Sequence, residues 1–246
     1  METTRSSWGI GVCRAAGLAV VISVVLAVPA RATVIFGDDF NTGTEPDAAK
    51  WTQIESAGCG VYLTGGALYA SFIGQNAPRS AYVTSPALAL PSGWTDVVLT
   101  GKWAFPTQGF GECFIQVLDP DNTSVFVQAS YVNWVGSSAS KEWRGTYTGF
   151  GEYVYRGSLP TALTDFTLTV TPTGWSFVTE GGSISKSYTT AHMAGLDKVQ
   201  IMIGGWEYSS VTNVAVFDDI QLTPEPATLS LLALGGLAML ARRRRG

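Results

Sequence analysis

The chain has 246 residues and a formal net charge of −4, with 46% hydrophobic and 14% charged residues. This acidic balance argues against a polyanion such as nucleic acid as partner. The single histidine, His192, excludes a metal site built on several imidazoles.

The first 32 residues have the three-part order of a secretory signal peptide. Arg5 and Arg14 precede an apolar run over residues 15–28, and Pro29-Ala30-Arg31-Ala32 ends in a small-x-small site. This order predicts export and cleavage by a signal peptidase after Ala32. The alternative is a retained membrane anchor, but the apolar run is shorter than the ~20 residues that span a bilayer.

Residues 33–223 are predicted to form one domain. Without the leader and the tail this body keeps 8 Lys and Arg against 17 Asp and Glu, a net charge of −9. Two cysteines remain, Cys59 and Cys113. In the oxidising environment outside the cell such a pair predicts a disulfide, and two buried unpaired thiols are the alternative.

The body has no long helical pattern, and turn residues recur at short intervals, which predicts an antiparallel sandwich or barrel. The clearest section is a meander over 165–189, with turns at Pro172-Thr173-Gly174 and at Gly181-Gly182. A hairpin is predicted at Asp119-Pro120-Asp121-Asn122. Residues 190–196 are expected to form a short helix or a long loop. The remaining predicted strands cover residues 33–40, 66–73, 81–84, 96–105, 113–118, 124–132, 199–203 and 211–222.

This pattern resembles the concanavalin A-like family of lectins and glucanases, which includes laminin G-like domains. The resemblance rests on four segments in order: Asp38-Asp39-Phe40-Asn41 with Trp51 after it, Gly65-Gly66-Ala67-Leu68-Tyr69, the meander with Trp175, and the closing strand over 216–222. It implies an all-β jelly roll of two antiparallel sheets, with the first and last strands adjacent.

The sequence gives little support for catalysis. Glucanases of this superfamily place their carboxylates in a Glu-x-Asp-x-x-Glu pattern, which the chain does not contain. Glu112 and Asp119 come nearest. Their seven-residue separation exceeds 20 Å on an extended strand, at ~3.3 Å per residue, whereas a retaining pair needs about 5 to 5.5 Å. No Gly-x-Ser-x-Gly elbow accompanies His192.

Acidic residues at two strand ends indicate a candidate calcium site. The resemblance makes the strands that carry Asp38, Asp39, Asp218 and Asp219 neighbours, and clustered carboxylates suit Ca²⁺. The alternative is that these are solvated acids at strand ends. Asp119, Asp121 and Asn122 form a second candidate, although a tight turn favours the same residues.

Aromatic residues suggest a carbohydrate-binding surface. Exposed aromatic rings stack on sugars, and binding sites often lie on loops of a rigid sandwich. The alternative is that these rings fill the core. The candidates are Trp134, Trp143, Tyr147, Tyr153 and Tyr155, with Phe150 between them.

The last residues resemble the PEP-CTERM sorting signal. Pro224-Glu225-Pro226 precedes an apolar run over 229–241, and the chain ends in Arg242-Arg243-Arg244-Arg245-Gly246. The apolar run partitions into a bilayer, and the arginines resist translocation. The resemblance implies transient membrane anchoring, then processing by an exosortase in the envelope. An ordinary tail anchor or a loose helix is the alternative.

Together these features predict an exported envelope or extracellular-matrix protein with a non-catalytic, lectin-like domain that binds polysaccharide. A divergent carbohydrate-active hydrolase and a purely structural surface protein are the alternatives, because fold alone does not decide among them.

Overall fold

The structure is a computed structural model, which describes residues 32–73, 79–106, 111–133, 141–148, 150–156, 160–180, 182–188, 193–207 and 212–226. Within these ranges the chain forms sixteen β-strands and no helix. No helix there is long and apolar enough to cross a membrane. The predicted apolar helices over 15–28 and 229–241 lie outside the described residues.

The strands form two antiparallel sheets, each of eight strands. Sheet A contains β1 (Phe36–Asp38), β3 (Gly60–Thr64), β4 (Ala67–Ile73), β7 (Trp94–Ala104), β12 (Thr164–Thr171), β13 (Gly174–Thr179), β14 (Gly182–Ser187) and β16 (Thr212–Pro226). Sheet B contains β2 (Thr52–Glu55), β5 (Arg79–Thr84), β6 (Leu88–Ala89), β8 (Gly111–Leu118), β9 (Phe126–Asn133), β10 (Lys141–Tyr147), β11 (Phe150–Arg156) and β15 (Lys198–Glu207).

The predicted jelly-roll sandwich is confirmed. Sheet A has the order β14-β13-β12-β7-β16-β4-β3, with β1 paired to β16. Sheet B has the order β11-β10-β9-β8-β15-β5-β2, with β6 paired to β15. The first strand lies beside the last, with Phe36 opposite Leu222.

The alternation of apolar and polar residues correctly predicts most of the strands. The predicted meander is β12-β13-β14, and the turn at Asp119 joins β8 to β9, where Asp121 N–H donates to Asp119 Oδ1 at 2.8 Å. Four strands were not predicted: β2, β3, β6 and β10. Of the segment expected to be a short helix or a long loop, the described residues 193–196 form a bend and a turn.

Aromatic side chains join the inner faces of the two sheets. Trp103 of β7 is fully buried and lies 3.9 Å, between ring centroids, from Tyr131 of β9. Phe177 of β13 meets the same indole edge-on at 5.1 Å. Stacked and edge-to-face rings contribute stability beyond their buried area, so this cluster fixes how the sheets pack.

The last strand continues past the predicted end of the domain at Thr223. Pro224, Glu225 and Pro226 belong to β16 and pair with Val97, Asp96 and Trp94 of β7. The pairing has an irregularity between Glu225 and Pro226. The start of the sorting tail is therefore part of sheet A.

The predicted disulfide between Cys59 and Cys113 is not present: both cysteines are free. The reason is that one lies beside the edge strand of its sheet and the other on a central strand of the opposite sheet. Cys59 precedes β3 at the edge of sheet A, whereas Cys113 points into the core from a central strand of sheet B. Burial raises the pKa of the Cys113 thiol well above its usual range, so Cys113 stays protonated.

Candidate functional site

The outer face of sheet B, turned away from sheet A, carries a group of partly polar side chains at its centre. Along β8 the inward residues Cys113, Ile115 and Val117 belong to the core, so Glu112 and Phe114 alternate onto the outer face. All eight residues of this strand are nevertheless buried.

Glu112 is the centre of this group. Its carboxylate is buried, at 7% exposure for the residue, and each oxygen accepts a hydrogen bond. Trp206 of β15, directly opposite in the register, donates its indole N–H to Oε2 at 2.8 Å. Gln128 of β9 donates Nε2–H to Oε1 at 2.7 Å. Because bonds to a charged acceptor are strong, they hold the indole and the amide in fixed positions.

Two more rings extend the same face. Tyr82 of β5 and Phe114 of β8 have ring centroids 6.1 Å apart. They are separated in the register only by Gly204 of β15. Gly204 has a φ of 156°, and a Cβ there would lie 2.4 Å from the carbonyl oxygen of Ala81. This position therefore requires glycine, and no side chain of β15 stands between the two rings.

Ser130 of β9 adds an unused polar atom to this face. It lies opposite Phe114 in the register and is fully buried. Its hydroxyl has no hydrogen-bond partner among the described residues. A buried hydroxyl without a partner is costly in a folded protein and calls for an explanation. We refer to Glu112, Trp206, Gln128, Tyr82, Phe114 and Ser130 as the Glu112 cluster.

The aromatic residues predicted to bind sugars have different outcomes. Tyr147 is buried at 3% exposure and packs against Tyr188 with ring centroids 5.3 Å apart. Tyr147 therefore fills the core, as the alternative to sugar binding predicted. Trp134 lies outside the described residues. Trp143 pairs with Tyr155, and Gly145 pairs with Tyr153, in the β10–β11 register at the edge of sheet B. Sugar binding by Trp143, Tyr153 and Tyr155 stays a prediction.

The fold brings the four predicted calcium ligands together, as expected from the pairing of β1 with β16. Asp38 is opposite Ile220, so Asp38 and Asp39 lie near Asp218 and Asp219. However, within the described ranges no group of three or more His, Cys, Asp or Glu side chains is arranged to hold a metal ion.

Lysines supply the positive charge around these acids. Lys50 Nζ is 3.6 Å from Asp38 Oδ1, and Lys102 pairs with Asp219 and lies 4.0 Å from Asp218 Oδ2. The carboxylate of Asp219 in turn raises the pKa of Lys102. At the second predicted site, Lys198 contacts Asp121 at 2.7 Å.

Two of the acids also have structural roles. Asp38 accepts the indole N–H of Trp51 at 2.8 Å and the backbone N–H of Phe40 at 3.0 Å, which fixes the turn after β1. Asp219 sits at a register shift in β16 with a φ of 52°. Burial raises the pKa of Asp218, although the backbone N–H of Asp219 opposes this shift.

The weak catalytic candidates from the sequence do not meet in the structure. Asp119 caps the turn between β8 and β9, at the opposite end of β8 from Glu112. His192 lies outside the described residues. The hydrogen bond between Glu112 and Trp206 cannot be predicted from local sequence patterns, because the two residues are 94 positions apart in the chain.

Residues 222–245 match the model of the PEP-CTERM protein-sorting motif. The chain therefore carries this sorting signal, as the resemblance of its tail predicted. The motif indicates an exported protein that is processed by an exosortase and associates with the cell envelope.

Solved structures share the fold at low sequence identity. A putative beta-glucanase from Mycobacterium abscessus superposes with a TM-score of 0.57 and 12% identity, over 77% of this chain and 100% of that one. A pseudo beta-1,3-glucanase and immunostimulatory antigen of Mycobacterium tuberculosis gives 0.57 and 11%, over 78% and 99%.

An endo-β-galactosidase from Clostridium perfringens that releases GlcNAcα1-4Gal gives a TM-score of 0.52 and 13% identity, over 79% of this chain and 63% of that one. No curated protein sequence matches this chain significantly. The structural similarity establishes the concanavalin A-like β-sandwich.

Proposed function

We propose that the chain is an exported polysaccharide-binding protein and that the Glu112 cluster is its binding site. The observation that carries this proposal is the buried Glu112 carboxylate, which holds the indole of Trp206 on the outer face of sheet B. A half-buried indole fixed by a charged acceptor offers a rigid apolar ring for a sugar, with polar groups beside it.

Another member of the cluster fits the same ligand. Gln128 is half-buried and has a second N–H and a carbonyl oxygen beyond its bond to Glu112. Sugars carry hydroxyl groups that satisfy both kinds of atom. Because the body has a net charge of −9, we expect a neutral rather than an acidic glycan.

Binding without hydrolysis is supported by the residues around Glu112. A glycosidase of the common kind uses two carboxyl groups, about 5 to 9.5 Å apart. On the outer face of β8, Glu112 is followed by Phe114, Gln116 and Leu118 at alternate positions. The outward positions of β5, β9 and β15 carry no acid. The nearest acid in the register of this face is Glu142 of β10, which lies two strands from Glu112, across Val132. Two relatives by fold are named as glucanases and one as a pseudo-glucanase, so the fold accommodates both outcomes.

The test is a glycan array probed with the exported protein and with Trp206→Ala and Glu112→Gln variants. We expect binding to a neutral polysaccharide, weakened at least about tenfold by Trp206→Ala, which corresponds to about 1.4 kcal/mol. Tyr62→Ala is the matched control, because Tyr62 is an exposed aromatic residue on the edge strand of sheet A.

The same preparations are assayed for release of reducing sugar ends from each bound glycan. We expect none. Release that Glu112→Gln abolishes would replace binding with hydrolysis as the function. An array without any bound glycan would leave a purely structural envelope protein as the better description.

A further inference from the structure

The sorting motif forms the end of β16 and is held in the folded domain more weakly than the rest of that strand. Pro224 is buried opposite the fully buried Val97. The Thr95 hydroxyl donates to the carbonyl oxygen of Glu225 at 3.3 Å. A processing enzyme that binds an extended peptide cannot reach a segment paired in this way, since cleavage of a folded chain requires local opening.

Three features weaken this end of β16. The first is one-sided strand pairing: β4 leaves the strand at Phe217, and the pairing with β1 runs from Asp38 opposite Ile220 to Phe36 opposite Leu222. Among the described strands, β7 is the one that pairs with β16 beyond Leu222.

The second feature is the loss of hydrogen-bond donors. Leu222 O accepts from Ile35 on the β1 side, so by alternation residues 224 and 226 face that side too. Both are prolines without a backbone N–H, so they cannot donate to a strand there, and only Glu225 faces β7. Proline within a sheet is tolerated at edges, where one side of the strand is unpaired. The motif satisfies this condition only because β1 and β4 have already ended.

The third feature is a repulsive pair. Glu225 lies directly opposite Asp96 in the antiparallel register, and both residues are half-buried. Side chains opposite each other project from the same face of the sheet, and like charges in such a pair are destabilising.

We propose that Pro224-Glu225-Pro226 is a latch that must detach from β7 before the exosortase can process the tail. The Asp96–Glu225 repulsion keeps the latch weak, and the rate of processing follows the fraction of molecules in which this strand end is open. The proposal rests on the sorting motif and is independent of carbohydrate binding.

The experiment strengthens or weakens the latch without changing the motif. Asp96→Lys replaces repulsion with attraction, and Asp96→Asn removes the repulsion only. Thr95→Val removes the hydroxyl that holds the Glu225 carbonyl. Glu180→Lys is the matched control, because it makes the same change in charge at an exposed position in the turn after β13, near the far edge of sheet A.

Processing is followed in the producing cells by the intact mass of the full chain and of its product over time. We expect Asp96→Lys to slow processing about fivefold, the factor that corresponds to about 1 kcal/mol. Asp96→Asn should slow it less, and Thr95→Val should speed it up. Glu180→Lys should process at the rate of the unaltered chain.

Amide hydrogen exchange on the full chain measures the opening itself, and separates a tighter latch from a misfolded variant. Exchange at Glu225 should be faster than at Leu222 and should slow in Asp96→Lys. Slower exchange with unchanged processing would overturn the proposal, because the enzyme would then not depend on opening. Unchanged exchange in Asp96→Lys would overturn the role of the repulsive pair.

Discussion

The indole of Trp175 in sheet A occupies the space that a side chain at Gly145 in sheet B would need. A Cβ built on Gly145 would lie 1.6 Å from the Cη2 atom of Trp175. At this contact between the sheets, the largest side chain packs against a residue that has none. Gly145 is required here because of packing and not because of its backbone conformation.

Gly145→Ala is therefore expected to destabilise the domain by about 1–3 kcal/mol, the usual cost of overpacking a core. The measurement is the free energy of unfolding in urea. Gly60→Ala is the control, because nothing lies within 4 Å of a Cβ at that position. A double variant that also replaces Trp175 with Leu should recover part of the loss, and equal losses at Gly60 and Gly145 would contradict the packing argument.

Asp218→Asn is expected to stabilise the protein at neutral pH. The folded protein raises the pKa of Asp218, chiefly through burial. Between the ordinary pKa and the raised one, the folded state binds more protons than the unfolded state, so the contribution of this group to stability falls as pH rises. Above the raised pKa the ionised carboxylate lowers stability. Asparagine removes the charge and keeps an oxygen that can accept from the backbone N–H of Asp219.

The check is the melting temperature of both proteins between pH 3 and pH 7. The difference in favour of asparagine should grow as pH rises across this range and be smallest at the acidic end. A difference independent of pH would show that ionisation of Asp218 is not its cause.

Calcium is expected to leave the melting temperature unchanged, because Lys50 and Lys102 already compensate the acids at the β1–β16 junction. The measurement compares a chelator with millimolar calcium. A saturating ion that bound only the folded state at a hundredfold excess over its Kd would add about 2.7 kcal/mol. A rise of several degrees would restore the calcium site predicted from the sequence. Lys102→Met should lower the melting temperature, because it removes the ion pair with Asp219.

Cys59 is expected to react with iodoacetamide in the native protein, whereas Cys113 should react only after unfolding. Cys59 is half-buried, and Cys113 is fully buried with a raised pKa, so its reactive thiolate is scarce. Peptide mass spectrometry of the unreduced protein measures both thiols. A cross-linked peptide containing Cys59 and Cys113 would contradict the free thiols of the structure.

The sequence predicted the architecture because alternation survives wherever one strand face meets the core. β12 is an example, since Phe166, Leu168 and Val170 are buried and the threonines between them are half-buried. β2 was not predicted because all four of its residues are exposed and its pairing with β5 alone defines it.

The Glu112 cluster could not be predicted from spacing, because its members come from four strands that are distant in the chain. One signal was present in the sequence: Gly111–Leu118 reads as almost continuously apolar, with Glu112 and Gln116 as exceptions. A strand of this kind is buried on both faces, so a charged residue within it needs partners from neighbouring strands. The identity of those partners depends on the order β9-β8-β15, which only the fold supplies.

The position of β16 affects the order in which the domain can form during export. In sheet A this last strand lies between β7 and β4 and beside β1. These three strands are exported earlier than β16, so they cannot complete their pairing until β16 has also been exported. A chain crossing the membrane from its N-terminus can build the β12-β13-β14 meander early, but it cannot close sheet A until residues up to 226 have crossed. Until then the inner faces of both sheets stay open, and the exported chain depends on protection from aggregation for the whole of its passage.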